Sequence, residues 1–260
     1  MVTGLETFRE YFQNFSRDYV VIGGVACELA LDSLRLDFRP TDDFDIVIVS
    51  ENLAQGFGAT LKQFIRDGGY SVQHRKSNDK PTFFRFIAPK NDAFPSKLEL
   101  ATVKPFDAWK WDFAPLDAGD ARSSLSAILF ETDFYRFILD NAVVFHGIST
   151  MRLEGLIPLK CLAFLELSQQ DAPSPKILAN IEKHRQDIFR LADALPDGTF
   201  PLPEKVASIT TEALSRIAEN PLVENAGEIL TMLRQFYCLR NRPERRVTAP
   251  LSRLMGNGRS

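Results

Sequence analysis

Two short segments concentrate the residue types that do phosphate and metal chemistry. Val20-Val-Ile-Gly23-Gly24-Val-Ala joins an apolar run to a glycine pair, and Arg39-Pro-Thr41-Asp-Asp43-Phe-Asp45-Ile-Val-Ile48 places carboxylates at the head of a second apolar run. A strand that ends in Gly-Gly and leads into a helix lets backbone approach a ligand closely. The helix start then offers free N–H groups and a partial positive charge to an anion such as phosphate. Asp43 and Asp45 lie two apart on an expected strand, so both carboxylates face the same way, with Cα atoms about 6.5–7 Å apart. Like charges held together in this way repel unless a cation sits between them, and hard oxygen donors favour Mg²⁺. A phosphate cradle beside a Mg²⁺ pair is the layout needed to bind a nucleoside triphosphate and polarise its phosphates.

A third carboxylate completes such a site. Glu99, in Lys97-Leu-Glu-Leu-Ala101, alternates with Leu98 and Leu100 on a strand able to lie beside Asp43–Val49; Glu131 and Asp133 stand as alternatives. Alone, Gly-Gly reads as a turn and Asp-x-Asp as a solvated strand end. In this order, with apolar strands behind both, they point to a metal and phosphate site.

The elements that must position these residues follow from periodicity and punctuation. Leu5, Phe8, Tyr11, Phe12 and Phe15 fall at helical spacing over residues 5–15. Tyr19–Ile22 reads as a strand, Val25–Leu34 as a helix and Asp43–Val49 as a strand. Ser50 is a candidate N-cap for a helix running to Asp67, which Gly68-Gly69 stops. Further strands are expected at Ser71–Arg75, Thr82–Ala88, Lys97–Val103 and Val143–His146, with 107–124 as a long loop carrying Trp109 and Trp111. After about residue 150 the pattern turns helical: Glu154–Ser168, Pro175–Ala194, Glu204–Glu219 and Glu224–Leu239. The expected fold class is therefore α+β, a mixed β-sheet flanked by helices over residues 1–150, followed by a helical C-terminal region over 151–260 that ends in a basic tail.

The ordered motifs resemble the nucleotidyltransferase superfamily related to DNA polymerase β, and more closely its AbiEii/AbiGii-type toxin group. That group carries Arg-x-Thr-x-Asp-x-Asp, matched by Arg39, Thr41, Asp43 and Asp45. It continues with Leu-Ile-x-x-Lys, matched by Leu156 to Lys160, and a basic stretch leading to an Asp, matched by Lys183-His-Arg-Gln-Asp187. The resemblance implies Mg²⁺-dependent transfer of a nucleotide from a nucleoside triphosphate to an acceptor. Gly23 and Gly24 then hold triphosphate, with Arg39 and Thr41 at phosphate or shaping the turn. Asp43, Asp45 and Glu99 hold Mg²⁺, Lys160 sits on the phosphates, and Asp187 orients Lys160 or acts as a base. It also implies RNA, a tRNA 3′ end, as acceptor and a cognate antitoxin as partner. A protein or small-molecule hydroxyl is the alternative acceptor, and a non-catalytic nucleotide- or partner-binding protein the alternative class. The chain departs from the superfamily by an 18-residue spacer between Gly24 and Asp43, and by Gly24 where Ser is often found.

Composition bounds these readings. The chain has 260 residues and a net formal charge of −3, too apolar and too weakly charged for a disordered chain. No apolar run is long enough to cross a bilayer, and residues 1–20 lack a signal-like apolar core, so a cytoplasmic location is expected. Three scattered cysteines, Cys27, Cys161 and Cys238, form neither a disulfide framework nor a metal cluster. The charge is unevenly spread: the last 30 residues carry seven Arg and one Glu, including Arg240, Arg242, Arg245 and Arg246. That stretch reads either as a solvated tail or as a patch attracting an RNA acceptor. Lys160 beside an apolar stripe either reaches solvent or meets a phosphate. Asp187 either pairs with Lys183 or Arg190 or serves the site. His74, His146 and His184 share no metal spacing and read as surface or satisfied core residues.

Overall fold

The structure is a computed structural model, and it describes residues 2–41, 43–49, 53–73, 83–101, 132–221 and 224–239. The expected loop at 107–124 with its two tryptophans, the Ser50 cap, His74, Glu131 and the C-terminal arginine cluster lie outside these residues.

In chain order the elements are α1 (Leu5–Phe12), β1 (Tyr19–Ile22), α2 (Gly23–Asp32), β2 (Asp43–Ile48), α3 (Phe57–Gly68), β3 (Ser71–Gln73), β4 (Phe83–Ile87) and β5 (Lys97–Ala101). There follow α4 (Thr132–Asp140), β6 (Ala142–Phe145), β7 (Ile148–Met151), α5 (Leu153–Ser168), α6 (Pro175–Ala192), α7 (Glu204–Glu219) and α8 (Ala226–Phe236). Helix α1 tightens into a 3₁₀ turn at Gln13–Phe15, and α3 begins at Phe57, well after Ser50. Gly69 closes α3 in the left-handed region at φ 63°, which is the stop the glycine pair predicts. Two elements, α4 and β7, lie where the sequence pattern suggested none.

The seven strands found among the described residues form one mixed sheet in the order β3-β4-β5-β2-β1-β7-β6. This is the α+β architecture expected from the sequence. β1 runs antiparallel to β2, whereas β5 lies parallel to β2 on its other side. β1 is buried along its whole length, as a central strand of β-branched residues should be. Much of the abundant phenylalanine packs one cluster: Phe8 meets Phe12 at 4.6 Å between ring centroids, Phe44 and Tyr19 at 5.3 Å and Phe64 at 5.8 Å.

Helix α5 is buried from Gly155 to Leu165 without a break and packs against α2, α6 and α7. A helix apolar on every side has to be enclosed in this way. It contains Pro158, which has no N–H to give to the carbonyl of Glu154 four residues earlier. The Tyr237 hydroxyl, just past α8, donates to that carbonyl at 2.8 Å. One hydrophobic cluster runs from Val2 to Tyr237, so the sheet and the C-terminal helices share a core. No helix among the described residues is long and apolar enough to cross a membrane.

Candidate active site

The strand register builds the floor of a cleft. Period-two geometry puts Asp43 and Asp45 on one face of β2. The parallel pairing of β2 with β5 then sets Asp43 beside Lys97 and Asp45 beside Glu99. On the far side of β5, Glu99 pairs in register with Arg85 of β4. Next to Asp45 on the other side is Ile22, the last residue of β1, and the chain turns from there into Gly23 and α2. Gly23, Gly24, Arg39, Thr41, Asp43, Asp45, Glu99 and Lys160 all line this cleft of about 340 Å³.

The glycines are there because side chains crowd them. Gly23 has φ 70°, and a Cβ on it would lie 2.1 Å from the Asp45 carboxylate. A Cβ on Gly24 would lie 2.3 Å from the hydroxyl of Thr41. The hydroxyl that a Ser at position 24 would bring is thus replaced in space by Thr41. Helix α2 starts at Gly23 with no side chain capping its first N–H groups, so its positive end opens at the cleft.

The floor carries mixed charge. The Lys97 ammonium lies 2.9 Å from Asp43 Oδ2 and 3.0 Å from Glu99 Oε1, and Arg85 Nε donates to the same Glu99 oxygen at 2.6 Å. Burial, followed by the adjacent Glu99 charge, pushes the Asp45 carboxyl up to about 7 against the opposing pull of Lys97. Burial beside the Glu99 charge thus favours the protonated form of Asp45 in the ligand-free chain.

The wall opposite is basic and comes from α5 and α6. Lys160 is buried, and its Nζ donates to Asp187 Oδ2 at 2.7 Å. Arg39 grips the same carboxylate with two bonds, Nε at 2.9 Å and Nη2 at 2.8 Å, while its guanidinium stacks on Phe38. Burial alone would raise the Asp187 pKa, but Lys160 and Arg39 hold it down at about 2. For Lys160 burial works against the charge, yet its pKa is raised above the ordinary lysine value, with Asp187 among the groups that hold the proton. Lys160 therefore does not reach solvent, and the partners of Asp187 are Lys160 and Arg39 rather than Lys183 or Arg190.

No family model, curated protein or solved structure matches this chain.

Asp187 does not line the cleft itself; it stands behind Lys160 and Arg39. Asp133 is exposed in the first turn of α4 and is not a cleft residue. Sequence reasoning missed Arg85, Lys97, Lys176, Asn180 and Lys183 as lining residues. For three of them a signal existed: Lys176, Asn180 and Lys183 recur every three to four residues and share the face of α6 that also brings Asp187 inward. Lys183 has a lowered pKa through burial first and then the nearby charges of Arg39 and Lys160, which is the strain of cations gathered without enough anion. His184 also lines the cleft; burial and Lys160 lower its pKa to about 3, so the ring is neutral. Its Nδ1 is buried with no hydrogen-bond partner, so of the two readings the sequence offered, surface or satisfied core, the satisfied core one does not hold.

The three carboxylates of Asp43, Asp45 and Glu99 line one cleft, and as hard oxygen donors they suit a hard divalent cation. Among the described residues no three such side chains converge on one point as they stand, and Lys97 fills the space between Asp43 and Glu99.

Proposed function

We propose that this chain is a Mg²⁺-dependent nucleotidyltransferase that moves a nucleoside monophosphate from a triphosphate to an acceptor hydroxyl. The acceptor is RNA, a tRNA 3′ end being the one suggested by the motif resemblance. The observation that carries the reading is the polarity of the cleft: a carboxylate floor on β2 and β5 faces a cationic wall on α5 and α6, and an uncapped helix start opens between them. A triphosphate carrying a divalent cation has matching polarity.

Asp43, Asp45 and Glu99 would hold Mg²⁺, which supplies Lewis-acid polarisation of the phosphates when bound. The chain's own groups supply the rest. Backbone N–H groups at Gly23 and Gly24 receive phosphate oxygens, and the wall's cations, Lys160, Arg39, Lys183 and Lys176, neutralise the triphosphate charge. Glu99 or Asp45, ionised when the cation is held, would accept the acceptor hydroxyl's proton. That oxygen then bonds to the α-phosphorus, the bond to the bridging oxygen breaks, and pyrophosphate leaves. Asp187 positions Lys160 and Arg39. A cognate antitoxin is the partner that the same resemblance suggests.

The test is to incubate the protein with each labelled triphosphate, Mg²⁺ and total RNA. Label should enter RNA with at least one nucleotide and vanish on Asp43→Ala. Transfer to protein or small-molecule hydroxyls alone would move the acceptor class. A second reading, nucleotide binding without turnover, is favoured by the two contacts of Lys97, which already neutralise part of the floor. It predicts binding of triphosphate with no pyrophosphate released.

A further inference from the structure

Lys97 sits where the floor most needs positive charge. It shares β5 with Glu99 two residues away, so both side chains rise from the same face, and the register places it directly across from Asp43. Its ammonium touches one oxygen of each carboxylate, at 2.9 and 3.0 Å, which is bridging rather than an ordinary surface pair. Arg85 also holds Glu99, but it is the more enclosed of the two cations, with 16% of its side chain exposed against 28% for Lys97. A guanidinium fork in such a place is fixed, whereas an ammonium on a four-carbon stem can swing away while the backbone stays still. The cleft beside Lys97 offers a place for that charge to go, because it is the proposed triphosphate volume.

We infer that Lys97 is a built-in counter-ion: it bridges Asp43 and Glu99 in the ligand-free protein, leaves them when a divalent cation binds, and turns its ammonium to the phosphates of the incoming triphosphate. The inference rests on the reading of Asp43, Asp45 and Glu99 as cation ligands. Its consequence is synergy. A bare cation must displace an attached ammonium and leave that ammonium unpaired, whereas a cation arriving with triphosphate brings the displaced ammonium a new partner. The site therefore discriminates against free divalent cations and accepts them with substrate. It also gives the Lys97 contacts a role in turnover, where the non-catalytic reading takes them as a permanent plug.

The test uses the full chain and Mn²⁺ alone, followed by electron paramagnetic resonance of the free ion. Lys97→Met should bind Mn²⁺ about tenfold or more tightly than wild type, because removing one adjacent positive charge strengthens attraction to the carboxylates. A non-hydrolysable triphosphate analogue should tighten Mn²⁺ binding in wild type much more than in Lys97→Met. Asp45→Asn should weaken Mn²⁺ binding in both backgrounds. Equal Mn²⁺ affinity in wild type and Lys97→Met, with Asp45→Asn still weakening both, overturns the role of Lys97 and leaves the cation site standing. No Mn²⁺ binding by any variant, with or without the analogue, overturns the cation site itself and the inference with it. A second measurement on the native chain guards against misfolding of the variant. Saturating Mn²⁺ alone should quicken acetylation of Lys97, read by peptide mass spectrometry, and an unchanged rate overturns the displacement.

Discussion

Removing Asp187 tests the basic wall most directly. The carboxylate has 2% of its side chain exposed, as has Lys160, and it serves two cations. In Asp187→Ala the consequences for the two differ. Arg39 keeps 22% exposure and can turn toward water, so its share is at most about 1 kcal/mol. Lys160 has no such exit, and a buried ammonium deprived of its partner costs about 3–5 kcal/mol. The expected loss is therefore at least about 3 kcal/mol, read by urea denaturation at pH 7. The sign of its pH dependence follows from linkage. Without Asp187, burial governs Lys160 and its folded pKa drops below the unfolded value near 10.4. The unfolded chain then binds the proton that the folded one refuses, so the variant gains stability relative to wild type as pH rises from 7 to 10. Lys160→Met in the Asp187→Ala background should restore most of the loss, with a coupling of about 2–3 kcal/mol in the double-mutant cycle. A loss below about 1 kcal/mol that is flat with pH would refute the claim that this ion pair is buried and interdependent.

Other outcomes follow from the same geometry. Gly23→Ala should lower thermal stability by at least about 1–2 kcal/mol, since its φ of 70° is left-handed and its Cβ would strike the Asp45 carboxylate. Gly227→Ala, in α8 with nothing near its Cβ, should raise stability by about 0.5–1 kcal/mol in the same melts. Because the folded pKa of Asp45 is raised to about 7, its contribution is intact below the ordinary carboxyl range and is lost as pH rises through 7. Metal-free Asp45→Asn should accordingly gain on wild type between pH 5 and pH 8 in thermal melts with chelator present; a constant difference would contradict the shift. Lys183→Met should weaken triphosphate binding about tenfold by calorimetry, whereas Lys205→Met, exposed on α7, should leave it unchanged.

Much of the floor was legible because strands speak locally. Asp43 and Asp45 share a face by period alone, and the Gly23-Gly24 turn after a β-branched run marks where α2 begins. The position of Glu99 followed from alternation, though not its pairing with Arg85 and Lys97, which depends on the order β4-β5-β2. The wall was less legible because its contacts are long-range. Lys160 and Asp187 are 27 residues apart, and Arg39 and Asp187 are 148 apart. A lysine on an apolar helix reads as a charge seeking water until its partner is placed. Strand β7 was hidden by its own chemistry. Ser149 and Thr150 look like loop residues, yet both are buried, and Thr150 Oγ1 bonds the Val21 carbonyl. Helix α4 was missed although Phe134, Tyr135, Phe137 and Ile138 do recur at helical spacing; nine residues give a short window for that pattern.

The bond from the Tyr237 hydroxyl to the Glu154 carbonyl bears on the order in which the chain is made. Helix α5, with Lys160 two residues beyond Pro158, emerges from the ribosome long before Tyr237, which follows Glu154 by 83 positions. Until then the proline leaves that carbonyl without a helical donor, a deficit of about 1–3 kcal/mol if it is buried in the meantime. The described residues that line the cleft have by then been synthesised, since the last of these is His184. A translation product cut short before α8 would thus hold every described lining residue and still lack the donor that completes the helix behind them. Tyr237 thus ties the completion of α5, which carries Lys160 to the cleft, to a residue that is not among the described lining.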